Sequence, residues 1–161
     1  MDQVNKVIKQ WEAVRPDVDT STMGPIGRLT RASKKILAVE EKTFSKYRVN
    51  LAGFDVLSTL RRSGSPYALS VGELMASMMI TSGTMTNRID QLEKIGLVQR
   101  IPDPQDARRF IVSLTPEGFS VIDEAIVEHV ATQHELVKGL TTEELAQLDS
   151  LLLKLTQSLD I

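Results

Sequence analysis

Two short segments of helical periodicity, separated by only a few residues, constrain the fold of this chain more than any other feature. The first begins at Ser70, which with Glu73 three residues later has the spacing of a capping box. After a turn at Met79 and Ile80, the second segment runs to Gly96. Its apolar residues recur at the spacing of one helical face: Met85, Ile89 and Leu92. Two short helices joined this tightly predict a helix-turn-helix.

A β-hairpin is predicted directly after the second short helix. Apolar residues mark a brief first strand: Leu97, Val98 and Ile101. In the second strand, three apolar residues alternate with Ile111 and Ser113: Phe110, Val112 and Leu114. The turn between them, residues 102–109, contains two prolines and ends in Arg108 and Arg109. A hairpin of this kind beside a helix pair is a wing.

Helices are predicted on both sides of this region. A short N-terminal helix carries Trp11 and ends before Pro16, and a longer one carries an apolar stripe over residues 26–47. A third covers residues 51–60, before the turn signal at 63–66. Thr115 followed by proline predicts the start of a helix that runs to about Lys138. The expected fold class is therefore mainly α with a small β wing.

The last helix is predicted to carry an unpartnered leucine seam. Thr141 with Glu144 repeats the capping-box spacing. Leucines then recur at alternating intervals of three and four: Leu145, Leu148, Leu152, Leu155 and Leu159. Such a seam at a chain end favours a homodimer, although it would also serve to close the subunit's own core.

Composition excludes several classes of protein. The chain has 161 residues, no cysteine and no apolar run of membrane-spanning length, so we expect one cytoplasmic domain without disulfides or thiolate metal sites. No nucleophile–base pair or phosphate-binding loop stands out, so we expect neither an enzyme nor a bound cofactor. His129 and His134 are poorly spaced for a shared metal, and we expect them to be solvated surface residues.

Charge is distributed unevenly along the chain. Residues 116–161 contain nine acidic and two basic residues, which leaves 17 basic and 12 acidic residues, a net charge of +5, in residues 1–115. A basic front region favours a polyanionic partner even though the whole chain has a net charge of −2. A chance asymmetry of solvated faces is the alternative.

The outward face of the second short helix has the side chains that read DNA base edges: Ser82, Thr84, Thr86, Asn87 and Arg88. Hydroxyls bond to phosphate or base, an amide pairs with adenine, and a guanidinium bonds to guanine. Gly83 would let the helix start approach a phosphate closely. An ordinary polar helix surface is the alternative, which the neighbouring wing makes less attractive.

The wing supplies the second set of DNA-binding candidates. Arg108 or Arg109 at its tip would enter a minor groove, where narrow A·T tracts attract arginine. Asp106 would orient the guanidinium of Arg108 by a charge-assisted hydrogen bond. Alternatively, Asp106 and Arg108 form only an ion pair within the turn.

Several motifs together resemble those of the MarR family of bacterial transcription factors. They are residues 54–57, 81–90, 96–98, 103–109 and 114–118, in family order, within a resemblance that covers about residues 24–161. The resemblance implies a two-fold dimer that binds a palindromic DNA operator with both wings, and repression relieved by a small anion. Residues 1–47 and 116–161 would form the dimerisation region, and residues 51–115 the winged helix-turn-helix.

A narrower resemblance is to the urate-responsive subgroup of this family. The chain is similar to that subgroup at Trp11, Asp55, Arg88 and Arg100. The resemblance implies that Trp11 stacks on a planar ring, that Arg88 or Arg100 pairs with its charge, and that Asp55 is repelled. Capture of Arg88 by the ligand would move the recognition helix out of the groove. A purely structural role, with an apolar Trp11 anchor and a buried ion pair, is the alternative.

Two other functions compete with this hypothesis. One is a winged-helix module that binds protein rather than DNA. The other keeps the regulator but changes its signal to a phenolic acid, a polycarboxylate or a metal. Whether DNA binding represses or activates is not decided by these residues.

Overall fold

The structure is a computed structural model that describes residues 2–78, 82–103, 106 and 109–159, with only the backbone of residue 82. The described residues form two compact units, Met1–Glu40 and Glu41–Ile161. The turn at Met79 and Ile80 and the wing residues 104, 105, 107 and 108 lie outside the described residues.

The first unit contains α1 (Gln3–Val14) and most of α2 (Met23–Ser45). Asp2 caps α1 by accepting hydrogen bonds from the backbone N–H groups of Val4 and Asn5. Arg28 of α2 donates to Asp2 Oδ2 at 2.8 Å and to Asn5 Oδ1 at 2.7 Å, which ties the two helices together. The predicted N-terminal helix is confirmed.

The core of the second unit lies around α3 (Leu51–Arg62), whose N-cap is Asn50. The largest fully buried side chains are Phe44, Val56, Leu57, Leu60, Leu74, Met85, Ile89, Val98, Val112 and Ile122. Burial of such apolar side chains contributes about 1.5–3 kcal/mol each. This core holds the helix pair and the wing against α3.

The predicted helix pair is α4 (Val71–Met78) and α5 (Ser82–Lys94). Ser70 and Glu73 form the expected capping box: Ser70 N donates to Glu73 Oε2 at 2.8 Å, and Glu73 N donates to Ser70 Oγ at 3.2 Å. Gly96, two residues after the last residue of α5, terminates the helix with a φ of 76°. There Gly96 N donates to Glu93 O and Leu97 N to Leu92 O, the two hydrogen bonds of a Schellman motif.

The hairpin is part of a three-stranded antiparallel sheet. Its strands are β1 (Ala68–Ser70), β2 (Val98–Pro102) and β3 (Phe110–Leu114), in the spatial order β1-β3-β2. The strand β1 was not predicted, because three residues directly before a helix cap show no alternation. Phe110 alternates in phase with the buried Val112 and Leu114, but it is 57% exposed because it lies opposite Pro102 at the wing end, beyond the core.

Two long helices complete the chain: α6 (Pro116–Val137) and α7 (Thr142–Leu159). Thr115 caps α6 by accepting from Gly118 N at 3.0 Å, and Thr141 caps α7 in a second capping box with Glu144. The expectation of a solvated His129 is wrong. Its ring is half-buried and lies 5.2 Å from the Phe44 ring and 5.0 Å from the Phe54 ring, because α6 packs on α2 and α3 at this point.

The predicted fold class, mainly α with a small β wing, is confirmed. Within the described ranges, no helix has both the length and the apolar content to cross a membrane.

Candidate nucleic-acid interface

The apolar residues of α5 point inward, as their periodicity predicted. Met85, Ile89 and Leu92 are at most 3% exposed and point into the core. Because a helix repeats every 3.6 residues, this anchoring turns the intervening residues outward. The exposed ones include Thr84, Thr86 and Asn87, whereas Arg88 is half-buried at the edge of the face. The side chain of Ser82 lies outside the described residues.

The described residues leave space at Gly83, in the first turn of α5. A Cβ atom added there would meet none of their atoms within 4 Å. The backbone N–H groups of the first turn have no intrahelical acceptors, so an open start is suited to binding an anion. This opening fits the predicted approach of Gly83 to a phosphate.

The described part of the wing presents one arginine to solvent. The side chain of Arg109 is 77% exposed, and its Nε lies 3.4 Å from Asp106 Oδ2. Backbone hydrogen bonds hold the turn: Arg109 N donates to Asp106 O at 2.8 Å, and Asp103 N donates to Arg109 O at 3.0 Å. Arg108 lies outside the described residues, so its orientation by Asp106 stays a prediction.

Arg100 on β2 links this strand to α5. Its guanidinium forms ion pairs with Asp90 and Glu93 of α5, and its backbone N–H donates to Glu93 Oε1 at 3.2 Å. The hydrogen bond to Asp90 is the largest cause that raises the pKa of Arg100 above its ordinary value. Sequence reasoning missed this bridge, although the i, i+3 spacing of the two acids places them on one helix edge.

The four residues assigned to an effector are distributed over different surfaces. Asp55 and Arg88 line one open depression on the second unit, together with Glu41 and Asn50. Arg100 lines a different groove, between α4, α5 and the wing. Trp11 belongs to the first unit, on α1, where it is 44% exposed. The structure therefore brings Asp55 and Arg88 together and places Arg100 against α5.

A tight helix pair with a polar outward face, followed by an arginine-bearing hairpin, defines the class of winged helix-turn-helix DNA-binding proteins. Comparison with known proteins agrees, because a sequence model of the MarR family matches residues 49–110. The chain is 39% identical over 150 residues to the HTH-type transcriptional regulator PecS of Dickeya dadantii, covering 93% of this chain and 90% of the relative. The chain belongs to the MarR family and is a transcriptional regulator that binds DNA.

Other relatives extend the comparison to structure. The multiple antibiotic resistance protein MarR of Escherichia coli is 31% identical over 133 residues, covering 81% of this chain and 90% of the relative. A mutant of that protein complexed with operator DNA has a TM-score of 0.72 at 28% identity, covering 86% of this chain and 99% of the other. BpsR of Bordetella bronchiseptica, whose DNA binding is regulated by 6-hydroxynicotinic acid, has a TM-score of 0.71 at 26% identity, with coverages of 86% and 96%. The relatives are regulators rather than enzymes.

Proposed function

We propose that the protein is a dimeric, cytoplasmic repressor that a small anionic ligand releases from a palindromic operator. The observation that carries this proposal is the exposed face of α5, with hydroxyl and amide groups beside a wing that presents Arg109. Residues 51–115 would form the DNA-binding region, and residues 1–47 and 116–161 the dimerisation region. Two copies related by two-fold symmetry would place their α5 helices in successive major grooves.

The proposed contacts divide into base reading and backbone positioning. Asn87 and Arg88 would read base edges, and Ser82, Thr84 and Thr86 would bond to phosphate or base. Arg108 and Arg109 would enter the adjacent minor groove, and Asp106 would hold them in place. The operator can be obtained by selecting duplexes from a random library with this protein. We expect two inverted half-sites, centred about one helical turn apart.

Replacing Arg108 with alanine should weaken binding to the selected operator by roughly 5- to 150-fold, the range for one lost specific contact. Fluorescence anisotropy on the labelled duplex measures the affinity. Lys138→Ala is the matched control, since it also removes one positive charge but lies at the end of α6. Equal affinities for the two variants would refute the wing assignment. Binding to no duplex at any salt concentration would instead favour a protein-interaction module.

The proposed dimer covers apolar side chains that the described subunit leaves in solvent. No residue of α7 is buried, and four leucines of the predicted seam are at least 36% exposed: Leu145, Leu148, Leu152 and Leu159. Apolar residues of α6 are exposed as well, Val127 at 69% and Val130 at 43%. Exposed apolar side chains in this number are typical of an interaction site. A leucine seam that stays in solvent supports a partner subunit over closure of the subunit's own core.

The proposed ligand is a planar anion such as urate. Trp11 offers an exposed aromatic ring, and Asp55 with Arg88 provides an acid and a base around one depression. A bound anion that pairs with Arg88 or Arg100 would disturb this charge balance and bias the position of α5. The regulation of BpsR by 6-hydroxynicotinic acid supports a planar ring acid as the ligand class.

Isothermal titration calorimetry with urate, xanthine, salicylate and citrate tests the ligand and the role of Trp11 together. We expect urate binding that Trp11→Ala weakens by about tenfold, the scale of one lost aromatic stack. Val14→Ala is the matched control, because Val14 is an exposed apolar residue near the end of the same helix. Undiminished urate binding by Trp11→Ala would reject the stacking role. Binding of salicylate or citrate alone would reassign the signal.

A further inference from the structure

The C-terminal half of α5 carries two acidic side chains that oppose DNA binding. Asp90 and Glu93 lie one helical turn apart, with side chains 57% and 38% exposed. On the proposed function, this helix lies in a groove whose walls are phosphates. An unshielded carboxylate there repels phosphate and reduces the number of counterions released on binding.

Arg100 forms an ion pair with both carboxylates. It is 29% exposed and pairs with each of them through separate guanidinium nitrogens, Nη2 with Asp90 and Nη1 with Glu93. Its strand position is fixed, because Arg100 lies opposite Val112 in the β2–β3 register and its own N–H donates to Glu93. A planar guanidinium serves two acceptors in this way, whereas an ammonium group does not hold the same fork.

We propose that Arg100 is a positioning residue that acts as an electrostatic shield on the recognition helix. With the guanidinium in place the three side chains carry a net charge of −1, and without it the net charge is −2. Loss or diversion of Arg100 would therefore increase the repulsion between α5 and the DNA backbone without moving the helix.

The shield also gives a second route from effector to DNA, which rests on the proposed function. Arg100 lines an open groove beside α5, and Arg109 of the wing lines the same groove. An anion that takes Arg100 from Asp90 and Glu93 would leave both carboxylates uncompensated. Release would then follow from charge, in addition to any movement of the helix through Arg88.

A cycle of variants in the 161-residue chain tests the shield. The variants are Arg100→Gln, the pair Asp90→Asn with Glu93→Gln, and all three changes together. Affinity for the selected operator is measured by anisotropy across a series of salt concentrations. We expect Arg100→Gln to weaken binding about tenfold and to reduce the salt slope by about one, because one positive charge is lost. The neutralised pair leaves Arg100 without its acids and should bind more tightly than the parent, and the triple variant should recover at least the affinity of the parent.

Two patterns would overturn the proposal. If Arg100 acts only as a mechanical tie, the neutralised pair will bind as weakly as Arg100→Gln, and the triple variant will show no recovery. If these charges lie too far from DNA to matter, none of the variants will change the salt slope. Should Arg100→Gln fail to fold, as seen by circular dichroism, Arg100→Met with and without the neutralised pair gives the same comparison, because it also removes the charge. The proposed function fails by a different result, which is an unchanged operator affinity of Asn87→Ala.

Discussion

Replacing Leu148 and Leu152 with aspartate should convert the protein to a monomer and reduce operator affinity by at least about 100-fold, the scale of avidity lost when two sites are unlinked. Both leucines lie on one face of α7, and their exposed fractions are 41% and 36%. Two charges placed in an apolar interface would remain unpaired after burial, which is unfavourable. Light scattering after size-exclusion chromatography gives the mass, and anisotropy gives the affinity.

The matched control for the leucine pair is Ser150→Asp. It adds a charge to the same helix about 200° around the axis from Leu148, by the geometry of 3.6 residues per turn. Because none of these side chains is buried in the described subunit, we expect unchanged helix content in every variant. A dimer that survives both aspartates would contradict the assignment of this seam to the subunit interface.

Replacing Gly118 with alanine should destabilise the second unit severely. A Cβ atom there would lie 1.8 Å from the carbonyl oxygen of Leu97, so α6 must move away from the start of β2. Displacing this backbone should cost about 3 kcal/mol, the upper end for overpacking. The melting temperature, followed by circular dichroism, should fall by roughly 6–12 °C for a chain of this size.

Gly139→Ala provides the comparison for Gly118→Ala. It is the same chemical change in the loop after α6, where an added Cβ would meet nothing within 4 Å. We expect its stability to stay within about 0.5 kcal/mol of the parent. Equal melting temperatures for the two variants would mean that α6 does not approach β2 as described.

Local signals account for the parts of the fold that were predictable. The capping boxes at Ser70 and Thr141 and the glycine at the end of α5 each act over three to five residues, so they are readable without tertiary information. The strand β1 is different, because its hydrogen bonds go to β3, more than 40 residues later. His129 was misplaced for the same reason, since its burial depends on aromatic rings from other helices.

The same distinction applies to the site. The outward face of α5 follows from the periodicity of its buried residues, so Thr84, Thr86 and Asn87 were correctly placed on the surface. The partners of Arg100, Asp90 and Glu93, were not predictable, because these ion pairs depend on how β2 returns beside α5. The sequence therefore indicated which face of α5 is exposed, but not how the charges on that face are compensated.

The sheet has a mechanical consequence for how a signal reaches DNA. The chain enters the helix pair from β1 and leaves it into β2, and both strands pair with β3. Thr115, directly after β3, adds two hydrogen bonds beside the start of β2. Its N–H donates to Leu97 O at 3.2 Å and its hydroxyl to Gly96 O at 2.6 Å. Because β3 holds both ends of the helix pair, we expect α4, α5 and the wing to move as one rigid body. In the proposed dimer, an effector would then change the spacing between the two α5 helices.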